Sequence, residues 1–325
     1  MSTKFQTALQ ATKNSFLKRT ETNANRDDFL FRKTISDGYY STVYLAYNIF
    51  DANHYAVKAL EKQKLAAHNL TERAYNEKRL LMIFNHPFVM SCSYCFEDES
   101  CLYLAMPIVN GGDLYCYIMW SGQKPDENIS KFFTAQVVLA LEYLHNQDII
   151  HRDIKPENIL LDCTGYIKIA DFGLCSSKKD RNFTICGNGD YMAPEMFSGE
   201  GYGKSVDFWA LGILTYELSS FRLPFNGENP TADSIVIYER QIAGQAFSPY
   251  LKSLIFRLLD VNPQTRIGTG GVGDLKTHQW FDEIDFDRLL EKNCKAPYIP
   301  KPLNLEELQI RQLKGSDVPN VFENF

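Results

Sequence analysis

The chain has 325 residues, of which 45% are hydrophobic and 23% charged. That is enough apolar material for a full core and more chain than one compact unit usually holds. A formal net charge of -6 argues against a non-specific nucleic-acid binder and favours basic partners. No apolar run is long enough to span a bilayer, and Met1-Ser2-Thr3-Lys4 opens without an apolar signal core. Ser2 in place of glycine excludes N-myristoylation. The 8 cysteines fall mostly in apolar surroundings, as reduced thiols of a cytosolic protein would. Cys92 and Cys95 form a CxxC without a second pair or a nearby histidine, so they read as core or half-buried strand thiols.

In chain order, residues 5–19 place Phe5, Leu9, Thr12 and Phe16 on one helical face. This pattern predicts an amphipathic helix packed on a domain, followed by a polar linker over 21–28. A membrane-surface helix is the alternative, but the apolar face is thin. From 29 to 109, short runs rich in β-branched and aromatic residues, at 42–46, 55–60 and 102–106, predict a small sheet. One helical segment, 70–84, interrupts them. After Asn110-Gly111-Gly112 the character changes. Residues 129–145 form a strong helix whose buried face includes Phe132, Phe133, Gln136, Val137, Ala140, Leu141 and Leu144. Further helices are expected over 205–219, 234–243 and 251–259. The outcome is a β-rich lobe, a glycine-marked hinge and a helix-rich lobe, with a cofactor site expected in the cleft between them.

The chemistry concentrates in His151-Arg152-Asp153-Ile154-Lys155-Pro156-Glu157-Asn158 and, thirteen residues later, Asp171-Phe172-Gly173. Asp153 alone would pass for a turn-capping aspartate; the joint spacing would not. The pattern resembles the catalytic core of eukaryotic protein kinases. That resemblance implies Asp153 as catalytic base, Asn158 and Asp171 as magnesium ligands, and ATP as the phosphoryl donor. Lys155, two residues past the base, would offset charge developing on the transferred group. In the first lobe Lys58 would contact the α and β phosphates and pair with Glu77 in the 70–84 helix. Met106 would back the adenine pocket, lined also by Val43 and Ala56. Pro107 and Val109 would offer a backbone carbonyl and a backbone N–H to the base. Pro107 lacks an N–H, but only its carbonyl is required.

Further motifs narrow the match. Thr184-Ile185-Cys186-Gly187, Tyr191-Met192-Ala193-Pro194-Glu195, Asp207-Phe208-Trp209-Ala210-Leu211-Gly212 and Asn262-Pro263-Gln264-Thr265-Arg266 resemble the AGC group of serine/threonine kinases. Phe16-Leu17-Lys18-Arg19 and the final Phe322-Glu323-Asn324-Phe325 make the chain most similar to the catalytic-subunit family of cAMP-dependent protein kinase. The resemblance implies an α+β, bilobal kinase fold. An N-terminal helix and linker would occupy 1–28, the N-lobe 29–109, the C-lobe 110–281, and an AGC tail ending in FxxF 282–325. It also implies Thr184 as the activating phosphosite, its phosphate paired with Arg152 and Arg73. Asp113, Glu157 and Glu217 would read arginines before the target residue, giving Arg-Arg-x-Ser/Thr-like substrates. Asp113 and Glu157 also border the expected nucleotide site. Ile185 and Met192 would form an apolar pocket for the residue after the target. A cAMP-binding regulatory subunit is the expected partner, and the cytoplasm, with the nucleus second, the expected location.

Three departures stand out. Where the family has a glycine-rich loop, this chain has Ser36-Asp37-Gly38-Tyr39-Tyr40-Ser41-Thr42-Val43, keeping only Gly38. A left-handed serine would cost roughly 1–2 kcal/mol, whereas an extended one would not; a stiffer loop and weaker, but not absent, ATP binding are expected. Asn188 replaces a threonine that bonds near the catalytic Asp and Lys, and Gly189-Asp190 follows it in place of Pro-Glu. The tail segment Leu303-Asn304-Leu305-Glu306-Glu307-Leu308 lacks the family's Phe-Asp-Asp-Tyr, which helps close the adenosine pocket. A nucleotide-binding scaffold, or another AGC kinase, are the competing readings.

Overall fold

The computed structural model describes residues 24–177, 186–199, 201–225, 242 and 244–302. The expected 5–19 helix, Thr184, Ile185, most of the 234–243 helix and the tail from 303 onward lie outside the described residues. The described chain divides into two lobes, the first comprising 24–85 and 89–110, the second 86–88 and 111–302. The first is β-rich and the second helical, as the α+β reading required.

The first lobe is an antiparallel sheet of β1 (Phe29–Asp37), β2 (Ser41–Asn48), β3 (His54–Glu61), β4 (Tyr94–Glu97) and β5 (Cys101–Pro107), ordered β1-β2-β3-β5-β4. Alternation sorts its side chains into two sets. One face carries Phe29, Ala46, Tyr55, Val57, Ala59, Phe96, Tyr103 and Ala105, which pack into a single core. Phe29 and Tyr103 each stack on Phe96 with centroids 4.9 Å apart. The other face follows from the register: Val43 opposite Lys58, Ala56 opposite Met106, and Lys58 opposite Leu104, which in turn faces Cys95.

Two helices accompany the sheet, α1 (Lys62–Ala67) and α2 (Thr71–Ile83). The sequence reading anticipated only the second. Helix α1 follows β3 without a break, and its N-cap Glu61 makes no side-chain cap, so no start signal marks it. In α2 the buried residues are Ala74, Glu77, Leu80 and Leu81, a stripe at helical spacing that includes one acid.

The second lobe is built on α3 (Leu114–Trp120), α4 (Glu127–Asn146), α5 (Ser205–Ser220), α6 (Pro249–Leu258), α7 (Gly273–Lys276) and α8 (Phe286–Leu290). Asp126 caps α4 by accepting from the Asn128 and Ile129 amides. In α5 every residue but the last is buried, as a helix apolar on all sides should be. Buried Gln136 of α4 accepts from the Ile167 amide at 2.9 Å, fixing the hairpin of β7 (Ile159–Leu161) and β8 (Ile167–Ile169) on the helix. A short pairing of β6 (Ile149–Ile150) with β9 (Ser176–Ser177) completes the lobe. Among the described residues no helix is long and apolar enough to cross a membrane.

Candidate active site

In the first lobe, Lys58 Nζ lies 2.7 Å from Glu77 Oε1, with side-chain exposures of only 15% and 5%. β3 sends Lys58 away from the aromatic core, and the buried stripe of α2 supplies Glu77. The sheet face that holds Lys58 also holds Val43, Ala56 and Met106 by register. Residues far apart in sequence therefore share one surface because their strands pair with an even offset. Pro107 ends β5 exposed, and Val109 follows half-buried.

The Ser36–Val43 stretch is a hairpin. Ser36 pairs with Val43 and Asp37 with Thr42, while the Gly38 amide donates to the Ser41 carbonyl at 2.9 Å. Neither Ser36 nor Ser41 adopts a positive φ, so the left-handed cost considered for serine does not arise. The turn carries a feature the sequence did not suggest. Tyr39 and Tyr40 meet each other edge-on and both meet His68, just past α1, at centroid distances of 4.8–5.4 Å.

In the second lobe the 151–158 loop is tied down from several sides. Lys155 Nζ sits 3.0 Å from Asp153 Oδ2, and Asn158 Nδ2 donates to the same oxygen at 2.7 Å and to the Asp153 carbonyl at 2.9 Å. Because the Asn158 amide nitrogen is committed to Asp153, its carbonyl oxygen is the atom left to face a cation. Gly187, at φ +103°, passes so close that a Cβ would meet the Arg152 carbonyl at 2.8 Å and Asp153 Oδ1 at 3.6 Å. Only glycine fits there.

Asp207 is the organiser of this loop, a role that its place in the sequence does not announce. It is fully buried and accepts from His145 Nε2 at 2.7 Å, the His151 amide at 2.9 Å and the Arg152 amide at 2.8 Å. Burial alone would raise its pKa, but the His145 hydrogen bond, nearby imidazoles and the Arg152 amide leave it below the ordinary carboxylate value. These bonds hold Arg152 in a left-handed conformation at φ +69°. The Arg152 side chain donates from Nε to the Leu174 carbonyl at 2.6 Å. Asp171, also left-handed at φ +58°, is exposed, whereas the next residue Phe172 is buried against His151 with centroids 5.2 Å apart. Backbone strain of this sort concentrates at functional sites.

The acids gather as well. Among the described residues, Glu157 Oε2 is buried without a hydrogen-bond partner. Burial, with the charges of Asp113 and Asp153, raises its pKa. Glu217 accepts a hydrogen bond from the Tyr191 hydroxyl and is pushed up to about 7, chiefly by burial and then by the charges of Glu157 and Asp190. Asp113 caps α3 through one oxygen, accepting from the Cys116 amide at 2.6 Å, and burial raises it too. Asp190, noted in the sequence only as a departure, is a fourth acid in this field; a single acid in a turn gives no pattern to read. Asn188 caps the short turn that follows it, accepting from the Asp190 amide at 3.2 Å. Met192 is buried, while Arg73 is exposed on α2.

The protein kinase domain family matches residues 29–281. The chain is 38% identical over 299 residues to a cAMP-dependent protein kinase catalytic subunit of Dictyostelium discoideum, covering 89% of this chain and 45% of that protein. It is 37% identical over 294 residues to cAMP-dependent protein kinase catalytic subunit 2 of Drosophila melanogaster, covering 87% and 81%. It is 37% identical over 277 residues to cAMP-dependent protein kinase type 3 of Saccharomyces cerevisiae, covering 84% and 69%. This chain is a protein kinase domain protein of the serine/threonine class, closely related within the AGC group to the catalytic subunits of cAMP-dependent protein kinases.

Proposed function

We propose that the protein transfers the γ-phosphoryl group of ATP to Ser or Thr in basic sequences, with Asp153 as base. The observation that carries this reading is the double anchoring of Asp153 Oδ2 by Lys155 and Asn158. It supports a carboxylate oriented to take the proton of a substrate hydroxyl. As the substrate hydroxyl oxygen bonds to the γ-phosphorus, the bond from phosphorus to the β–γ bridging oxygen breaks, ADP leaves, and the hydroxyl proton goes to Asp153. Lys155 lies where it can offset the developing charge. The Asn158 carbonyl oxygen and the Asp171 carboxylate are hard oxygen donors that suit magnesium. When bound, that ion neutralises phosphate charge. Lys58, held by Glu77, is assigned to the α and β phosphates. Ser36, Gly38, Val43, Ala56, Met106, Pro107 and Val109 are assigned to the nucleotide.

Substrate choice rests on the acids. The buried oxygen of Glu157, without a hydrogen-bond partner among the described residues, and the raised pKa of Glu217 support a negative field that Lys155 offsets only in part and that wants further positive charge. A guanidinium from the substrate would supply it. Asp113 adds to this field, and Met192 with Ile185 is assigned to the residue after the target. Thr184 is proposed as the activating phosphosite, read by Arg152 and Arg73. A cAMP-binding regulatory subunit is the proposed partner, by relation to the cAMP-dependent enzymes. The serines of the phosphate turn need no strained backbone, which weighs against the scaffold reading.

A magnesium-dependent phosphotransfer assay on an Arg-Arg-x-Ser peptide tests the reading. Asp153→Asn should lower kcat by roughly 10²–10⁴-fold. Equal turnover by wild type and D153N would overturn it.

A further inference from the structure

Two thiols touch on the first lobe, and none of the roles above uses them. Cys92 Sγ and Cys95 Sγ are 3.6 Å apart. Cys92 is wholly buried, whereas Cys95 is half-buried on β4. Among the described residues no histidine, acid or further cysteine gathers with them as a metal site. The surroundings divide the pair chemically. Burial pushes the Cys92 thiol up, whereas the hydrogen bond with Cys92 and the charge of Lys78 bring Cys95 down. The half-buried sulfur is thus the better nucleophile, and the wholly buried one keeps its proton.

We propose that Cys95 and Cys92 form a redox modification site, in which a peroxide oxidises Cys95 and Cys92 resolves it to a disulfide. In the first step the Cys95 thiolate attacks a peroxide oxygen. The O–O bond breaks, an S–O bond forms, and the departing hydroxide is protonated to water. In the second step the Cys92 sulfur attacks the Cys95 sulfur, the S–O bond breaks, and the hydroxyl leaves as water with the Cys92 proton. Two thiols and one hydrogen peroxide give one disulfide and two waters. The sulfurs must close from 3.6 Å to about 2.05 Å, a shift that side-chain rotation and a small backbone adjustment can supply.

The pair is wired to the candidate nucleotide residues. The Cys92 amide donates to the Leu81 carbonyl of α2, four residues beyond Glu77, at 2.9 Å. The Cys92 thiol has the Ala105 carbonyl within 3.2 Å, one residue before Met106. Cys95 faces Leu104, and Leu104 faces Lys58, so Cys95 and Lys58 share one sheet face and one cross-strand row. Lys78, whose charge favours the Cys95 thiolate, adjoins Glu77. Drawing the sulfurs together removes the Cys92 proton from its carbonyl acceptors and pulls on both β5 and α2. Weaker ATP binding follows; this consequence, unlike the disulfide itself, rests on the nucleotide role proposed for Lys58 and Met106.

The test treats the full chain with hydrogen peroxide and maps its peptides without reduction, while ATP binding is titrated before and after dithiothreitol. The expected result is a Cys92–Cys95 crosslink, lighter by about two hydrogens, with a severalfold weakening of ATP binding that reduction reverses. Cys95→Ser should lose the crosslink and the peroxide effect together. Cys92→Ala should halt Cys95 at a sulfenic acid that a dione reagent traps. Both thiols remaining open to alkylation after peroxide, or Cys95 passing directly to sulfinic acid in the wild type, would overturn the site. A mapped crosslink with unchanged ATP binding would keep the site and reject its link to the nucleotide. Should a variant fail to fold, the wild-type map decides alone.

Discussion

The 151–158 loop and the 36–43 hairpin are each assigned to the phosphates, yet they are built by opposite means. The loop is fastened through buried side-chain acceptors: Asp207 takes two consecutive backbone amides, and Asp153 takes Lys155 and Asn158. The hairpin is fastened mainly by its strand ladder and a backbone bond across the turn, with one exposed side-chain bond from the Thr42 hydroxyl to Asp37 and the exposed rings of Tyr39 and His68 beside it. Where a particular atom must sit at a particular point, the residue type is fixed by chemistry. Where the backbone does the work, side chains can change as long as φ and ψ permit. The familiar residues accordingly stand in the loop, and the departures stand in the hairpin.

The contrast breaks first, if anywhere, at Asp207. Asp207→Ala leaves His145 and the His151 and Arg152 amides without their acceptor, at about 1–3 kcal/mol for each buried group left unsatisfied. A large drop in the urea midpoint and in kcat is expected, with ATP binding less affected. A variant with wild-type kcat would mean that the loop holds its shape without its buried anchor. Glu77→Gln comes next. Breaking a buried pair costs about 3–5 kcal/mol, and Lys58 retains 15% exposure, so the lower end applies. Thermal unfolding and ATP titration should both register the change. Loss of ATP binding without loss of stability would show Glu77 acting only as an aim for Lys58.

The two constructions also differ in how far they could be read in advance. The Lys58–Glu77 pair was legible through the kinase resemblance, which named both partners on a strand and a helix that periodicity had already marked. Asp153, Asn158 and Asp171 were legible as a spaced motif. Asp207 was visible as a letter, but its role depends on two amides more than fifty residues away. Helix α1 was missed because an uncapped run after a strand carries no start signal. The Tyr39–Tyr40–His68 cluster joins surface residues, Tyr40 half-buried, across about 28 positions, and no local period announces such a contact. The letters alone leave the two serines open to a left-handed or an extended backbone, and the hairpin register places both in extended strands.

The acids give a prediction in which sign matters. Glu217 is raised from 4.5 to about 7, so in the free protein its neutral form is favoured. Its contribution to stability is therefore present below its unfolded pKa and is lost as pH rises through 7. A basic peptide reverses the preference, because a guanidinium favours the carboxylate. Between pH 6 and pH 8 the KM for an Arg-Arg-x-Ser peptide should fall by up to about tenfold, one unit of linked protonation. A peptide with both arginines replaced by alanine should give a flat profile. Parallel profiles for the two peptides would remove Glu217 from substrate recognition.

The smallest effect is expected in the hairpin, and it is the sharpest check on the opposition between the two regions. Ser36→Gly with Ser41→Gly restores the residue type the family uses there. Both positions are already extended, so the added freedom relieves no strain and only increases the entropy lost on folding, roughly 0.5–1 kcal/mol for each glycine. Slightly lower thermal stability and an ATP affinity within about threefold of wild type are expected, since less than 1 kcal/mol separates states differing by that factor. His68→Ala, which removes the ring that both tyrosines meet, should instead loosen the turn and raise the KM for ATP while sparing kcat. If the double glycine variant tightened ATP binding tenfold, the serines would be restraining the turn through their side chains. The hairpin would then depend on side-chain identity in the same sense as the loop.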